Sequence, residues 1–201
     1  MPIERRRTGV ERRGLEMSQE TASRAHVVQF YTDDSFLISS LAKYFGAALS
    51  RGETAIVIAT EVHRTGLTKE LRRRGVDLNG ITRKGRYIAL DAAETLSRFL
   101  VNDAIDATRF GYVMGTLLEK AHPAPRRKHK RIVVFGEMVA LLWEQGKEET
   151  AIELERLWNG LARTHSFALR CAYPIQILRD SGRPDLLLHV CEEHAAVIPA
   201  A

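Results

Sequence analysis

The sequence predicts an α/β fold of three layers, a mostly parallel sheet of about five or more strands with helices on both faces. Three observations predict it. Short apolar runs recur along the chain, and the segments between them carry helical periodicity. Most runs are β-branched and apolar on successive residues, the pattern of strands covered on both faces rather than of strands with one wet face. Strands separated by helices, in turn, are the order of parallel crossover units.

Residues 1–24 are polar and arginine-rich without apolar periodicity, and read as a disordered basic tail that leaves 25–199 as a single domain. The run 27–31, VVQFY, is the first strand, with His26 at its entrance. Leu37, Leu41, Tyr44, Phe45 and Ala48 then give the spacing of one buried helical face, and Asp33 or Asp34 stands where an N-cap belongs. The second strand is 54–60, TAIVIAT. The helix over 62–75 ends in a basic turn with Gly75 as its C-cap. After the third strand, 86–90, helices are expected over 92–100 and 107–121 around a polar break at Asn102 and Asp103. The fourth strand is 132–135. Ile152, Leu154, Leu157, Trp158 and Leu161 mark a helix over 148–164, the fifth strand is 168–173, and a last helix over 185–195 is closed by Pro199.

Composition excludes several classes. A chain of 201 residues suits one domain with a substantial core. No apolar run approaches the ~20 residues of a membrane-spanning helix, and MPIERRRTGVERRGLEM lacks the apolar middle of a signal peptide. Cys171 and Cys191 are too few for a disulfide framework, so a cytoplasmic protein with reduced thiols is expected. The net charge of +5 equals the five cations Arg126, Arg127, Lys128, Lys130 and Arg131 of one loop. That loop reads as a solvated face, with a phosphate- or partner-docking patch as the sharper alternative. No aromatic residues interleave with it and no zinc-finger spacing is present, so direct nucleic-acid binding is not expected.

Ligands of open α/β sheets gather at the carboxyl ends of the strands. There the sequence places Tyr31, Asp33 and Asp34, then Thr60, Glu61 and His63, then Asp91, Glu137 and Tyr173. Acidic residues after strands are also common helix caps, but Glu137 lies between Phe135 and Met138-Val139, where a carboxylate needs a partner or a ligand. No G-x-x-x-x-G-K-S/T or G-x-G-x-x-G is present, and Asp33 and Asp34 in the first turn repel a phosphate. Nucleotide binding by these devices is excluded. Cys191 and His194 form C-x-x-H, one side of a helix and a weak metal signal; His26 and Cys171 could add ligands only if the fold brought them close. Such cysteines are more often core, and no metal or other cofactor is expected. Trp143 and Trp158 read as core or pocket wall.

These segments together resemble the MEDS family, the sensory domain named for methanogens, methylotrophs and the dichloromethane regulator DcmR. The resemblance rests on HVVQFY with its acidic follow-on, AIVIAT with His63 after it, LDAAETLSRFL, FGEMVALLWEQG, ELERLWNGLAR, CAYP and CEEHAAVIP, in that order from His26 to Pro199. It implies a RecA/KaiC-like fold without a phosphate loop, and a sensory or regulatory module of signal transduction and transcription regulation rather than an enzyme. His26, Gln29, Tyr31, Asp33, His63, Glu137, Cys171, Tyr173, Cys191 and His194 stand in the family's motif-bearing segments. The expected ligand is a small hydrocarbon derivative, held by His26, Gln29, Tyr31, Asp33, His63, Glu137, Trp143 and Tyr173. His26, Tyr31 and Glu137 would orient its polar group, and Phe30, Met138 and Trp143 would give apolar contact. With only the basic tail beside the domain, output is expected through a partner such as a histidine kinase, an anti-sigma-type factor or a DNA-binding regulator, or through a homodimer. The alternatives are an acid–base enzyme using Glu137 with His26 or His63, a ligand-free interaction scaffold, and a metal sensor using Cys191 and His194.

Overall fold

The computed structural model describes residues 25–121, 131–180 and 183–200; the tail expected over 1–24 and most of the basic loop lie outside them. Six strands form one wholly parallel sheet: β1 (His26–Tyr31), β2 (Thr54–Ala59), β3 (Tyr87–Asp91), β6 (Ile132–Gly136), β7 (Ala168–Pro174) and β8 (Ala196–Ile198), in the order β3-β2-β6-β7-β1-β8. Every residue of β2 is buried, because β3 and β6 flank it and helices cover both of its faces. β8 is an edge strand and stays largely exposed. Where the sequence predicts a helix running to 195, the helix stops at Glu192 and the chain re-enters the sheet beside β1. A three-residue strand carries too little periodicity to be read in advance.

One face of the sheet is covered by α1 (Asp34–Ser50), α2 (Glu61–Arg73) and the short α3 (Leu78–Arg83). Leu37, Leu41 and Phe45 of α1 and Leu67 of α2 pack there against Val57 and Phe135. The other face is covered by α4 (Ala92–Ser97), α5 (Ala107–Ala121), α6 (Met138–Glu144), α7 (Glu148–Leu161) and α9 (Pro184–Glu192), with α8 (Ile175–Asp180) following β7. Its centre is aromatic: Phe110 meets Phe99 at 5.3 Å and Trp158 at 5.2 Å, both edge to face, and Trp158 continues to Phe167. Both tryptophans are buried here.

The polar break after α4 is a hairpin of two-residue strands, β4 (Leu100–Val101) and β5 (Ala104–Ile105). Asn102 and Asp103 turn it with φ of 50° and 65°, left-handed conformations that Asn and Asp tolerate better than other side chains. Several acidic residues after strands are caps. Asp33 accepts from the Phe36 amide at 2.9 Å at the head of α1, and Asp91 accepts from the Glu94 amide at 2.9 Å while paired with Arg64 at 2.8 Å. Among the described residues no helix is long and apolar enough to cross a membrane.

Candidate functional site

At the carboxyl ends of β1, β2 and β6 three side chains converge. β6 delivers Glu137, whose amide donates to the Ile58 carbonyl at the end of β2. Its Oε2 accepts from the Thr60 amide at 2.8 Å, and its Oε1 lies 2.5 Å from His63 Nδ1. α2 leaves β2 onto one face and α6 leaves the adjacent β6 onto the other, so the two residues meet where the connections diverge, the usual place for a ligand crevice. On the far side of the ring, Asp34 Oδ1 stands 3.1 Å from Nε2. This contact is ionic, bent away from a good hydrogen bond, and leaves Nε2 without an aligned acceptor. His63 and Glu137 are almost wholly buried, whereas the Asp34 side chain is 58% exposed and opens the group to solvent.

Burial alone would lower the proton affinity of His63, but the Glu137 hydrogen bond and the charges of Glu137 and Asp34 outweigh it and hold the imidazolium above its ordinary range. Tyr31 sits edge-on to the ring at 6.0 Å. Burial, then the charges of Glu137 and Asp34, push its phenol far up, so its hydroxyl stays protonated, and it makes no hydrogen bond among the described residues. The rim thus offers two carboxylates, an imidazolium and a phenol O–H, with formal charges summing to −1.

A second polar group lies inside the molecule, on the sheet face covered by α7. His26 Nε2, Cys171 Sγ and Glu155 Oε2 form a triangle with sides of 3.3 Å between histidine and thiol, 3.2 Å between thiol and carboxylate, and 3.1 Å between histidine and carboxylate. His194 Nε2 lies 3.4 Å from Glu155 Oε1, which also accepts from the Tyr173 hydroxyl at 2.9 Å. Glu155 and Cys171 are fully inaccessible, and the two histidines are at most 9% exposed. Burial would raise the Glu155 carboxyl, but the neighbouring His194 and His26 hold it far below its usual range. The Cys171 thiol and the Tyr173 phenol are pushed up, first by burial and then by Glu155.

The expected ligand set therefore divides. Tyr31, His63 and Glu137 stand at the rim, with Asp33 exposed beside it as the cap of α1. His26 does not join them. It begins the strand that Tyr31 ends, five residues or ~16 Å away at the rise of a β-strand. Tyr173 faces the interior group, and Trp143 packs edge to face on it at 5.6 Å. Gln29 points to the opposite face, where its Oε1 accepts from Arg170 at 3.1 Å and the Ser40 hydroxyl at 3.3 Å. The C-x-x-H pairing is also undone. α9 ends between its members, so His194 turns into the interior group while Cys191, half-buried, stays outside it. The fold does bring His26 and Cys171 together.

Sequence reasoning missed Glu155, and it placed Asp34 at the rim without including it in the ligand set. Glu155 had a readable signal: it falls on the apolar stripe Ala151, Ile152, Leu154, Trp158, Leu161 of α7, where a carboxylate is out of place.

In overall fold the chain is similar to the solved KaiC-like protein PH0186 from the hyperthermophilic archaeon Pyrococcus horikoshii, with a TM-score of 0.50 at 12% identity. The likeness covers 75% of this chain and 62% of that one, less than two thirds of its length, and it shows the fold alone. PH0250 from the same organism aligns over 92% of this chain and 86% of its own, with a TM-score of 0.44 and 8% identity. No curated protein matches the chain. The family model described as MEthanogen/methylotroph, DcmR Sensory domain (MEDS) matches residues 25–195.

Proposed function

The chain belongs to the MEDS family of sensory domains, and from that premise we propose that it binds a small polar organic molecule at the His63–Glu137–Asp34 rim and signals through a partner protein. The observation that carries this reading is the exposed Asp34 carboxylate held against a buried imidazolium at the strand ends. A rim with net negative charge and a spare phenol O–H suits neutral or cationic molecules, such as small alcohols, amines or halogenated derivatives with a polar group. It disfavours carboxylic acids and phosphates. A ligand donor that takes up Asp34 would release the first turn of α1 from α2, and the two helices make up most of one outer layer. Their altered spacing is the surface a regulatory protein would read.

An acid–base enzyme is the weaker reading. Both oxygens of Glu137 are already engaged, one by His63 and one by the Thr60 amide, so the carboxylate is not aimed at a substrate.

The test is a thermal-shift panel of small alcohols, amines, halogenated compounds and carboxylic acids on wild type and Asp34→Asn. Stabilisation by members of the first three groups, lost in Asp34→Asn, is expected. No stabilisation by any compound, or stabilisation by acids alone, would sink the proposal.

A further inference from the structure

We propose that His26, Glu155, Cys171 and His194 form a closed binding site for a divalent transition metal, zinc by preference. The site is independent of the rim, since it lies at the opposite end of β1 and on the other side of the sheet from Tyr31.

Geometry comes first. One ligand atom from each of the four residues can be chosen so that all lie within 4.8 Å of one another. Tetrahedral zinc, with bonds of ~2.0–2.3 Å, separates its ligand atoms by roughly 3.3–3.6 Å. The separations of 3.1, 3.2 and 3.3 Å among His26, Glu155 and Cys171 need to open by only a few tenths of an ångström. Two nitrogens, a sulfur and an oxygen are a donor set that zinc accepts.

The outer partners point the same way. His26 Nδ1 lies 2.9 Å from Asn159 Oδ1, and the Asn159 amide is fixed in that sense because its Nδ2 donates to the Glu193 carbonyl and carboxylate. His194 Nδ1 lies 2.5 Å from the Val190 carbonyl, which can only accept. Both rings therefore donate outward through Nδ1–H and aim Nε2 into the group, as metal-bound histidines do. His194 Nε2 is buried with no aligned hydrogen-bond partner among the described residues. Glu155 Oε1 is held by Tyr173, leaving Oε2 toward His26 and Cys171.

Charge supplies the third observation. Without a cation, neutral imidazoles would face carboxylate oxygens lone pair to lone pair. The two rings approach to 4.1 Å at a tilt of 51°, with both Nε2 atoms turned toward the one Glu155 carboxylate. A dication with the Glu155 carboxylate and a Cys171 thiolate sums to zero, and binding releases the thiol proton, with any imidazolium protons, to solvent. With four protein ligands and no open position the site is structural or regulatory rather than catalytic. It ties β1, β7 and α7 to the segment that follows α9.

The test uses the untagged chain, stripped with a chelator and titrated with Co2+ as a spectroscopic probe and with Zn2+. Expected are one metal per chain, a thiolate-to-cobalt charge-transfer band with tetrahedral visible bands, and a higher Tm with Zn2+. The band should vanish in Cys171→Ala, and Asn159→Ala should weaken metal binding by about 10–100-fold. X-ray absorption at the zinc edge of wild type gives a readout that needs no variant to fold; one sulfur with nitrogen and oxygen neighbours supports the site. Failure to bind either metal, a band that survives Cys171→Ala, or a zinc shell without sulfur would overturn it.

Discussion

Replacing Glu137 with Gln keeps the shape of the side chain and removes its charge. While His63 keeps both ring protons a glutamine cannot satisfy both of its neighbours, because the Thr60 amide and the His63 Nδ1–H are then both donors. Whichever way the amide turns, one N–H faces another. The loss is one charge-assisted hydrogen bond, about 1.5–3 kcal/mol. Stranding a buried charge outright would cost about 3–5 kcal/mol, but Asp34 remains and His63 can give up its proton. We expect Glu137→Gln to cost about 2–3 kcal/mol at pH 6 in urea unfolding. A cycle with His63→Gln should return a coupling of about 1–2 kcal/mol. The sign with pH follows from the raised affinity of His63 for its proton. Its contribution is complete below the unfolded value of about 6.5 and is lost as pH climbs through the folded value. The stability difference between wild type and His63→Gln should therefore shrink from pH 6 to pH 9. Coupling under about 0.5 kcal/mol at pH 6, or a difference that grows with pH, would refute an ionic pair.

Three further outcomes are expected. Asp33→Ala removes the acceptor of the Phe36 amide and should lower the midpoint of chemical denaturation, with no change in rim ligand response. Trp158→Ala, at the centre of the aromatic chain and one turn beyond Glu155, should cost about 3–5 kcal/mol. Asp103→Gly relieves a left-handed residue, worth about 1 kcal/mol, but loses the exposed pair with Lys147, worth about 0.2–1 kcal/mol. The net should be a stabilisation below about 1 kcal/mol.

The layers were legible because burial on both faces leaves a mark that composition cannot hide: β2 and β6 are buried throughout and read as unbroken apolar runs. β8, α3 and α8 were not, because each is too short for a period to declare itself. Glu137 was legible as a carboxylate among apolar neighbours, and His63 as a ring just past a strand end. Their pairing could be read only as one of two options, with His26 the other, since it joins residues 74 positions apart through a sheet order that local pattern does not encode. His26 went astray for a related reason. A strand has two ends, and a motif that spans one of them says nothing of which end carries the chemistry.

The sheet order also constrains how the molecule is made. β1 precedes the other described strands in the chain, yet it pairs only with β7 and β8, and the residue opposite His26 is Leu169. Loop closure over such a distance is entropically slow, and no chain that ends before β7 can offer β1 a neighbour in this sheet. β2 can meet β3 early, whereas β1 must wait with both hydrogen-bonding edges open and an apolar sequence on each side. Completion of the sheet thus waits on its late-made strands, and the segment from α9 to β8 closes it.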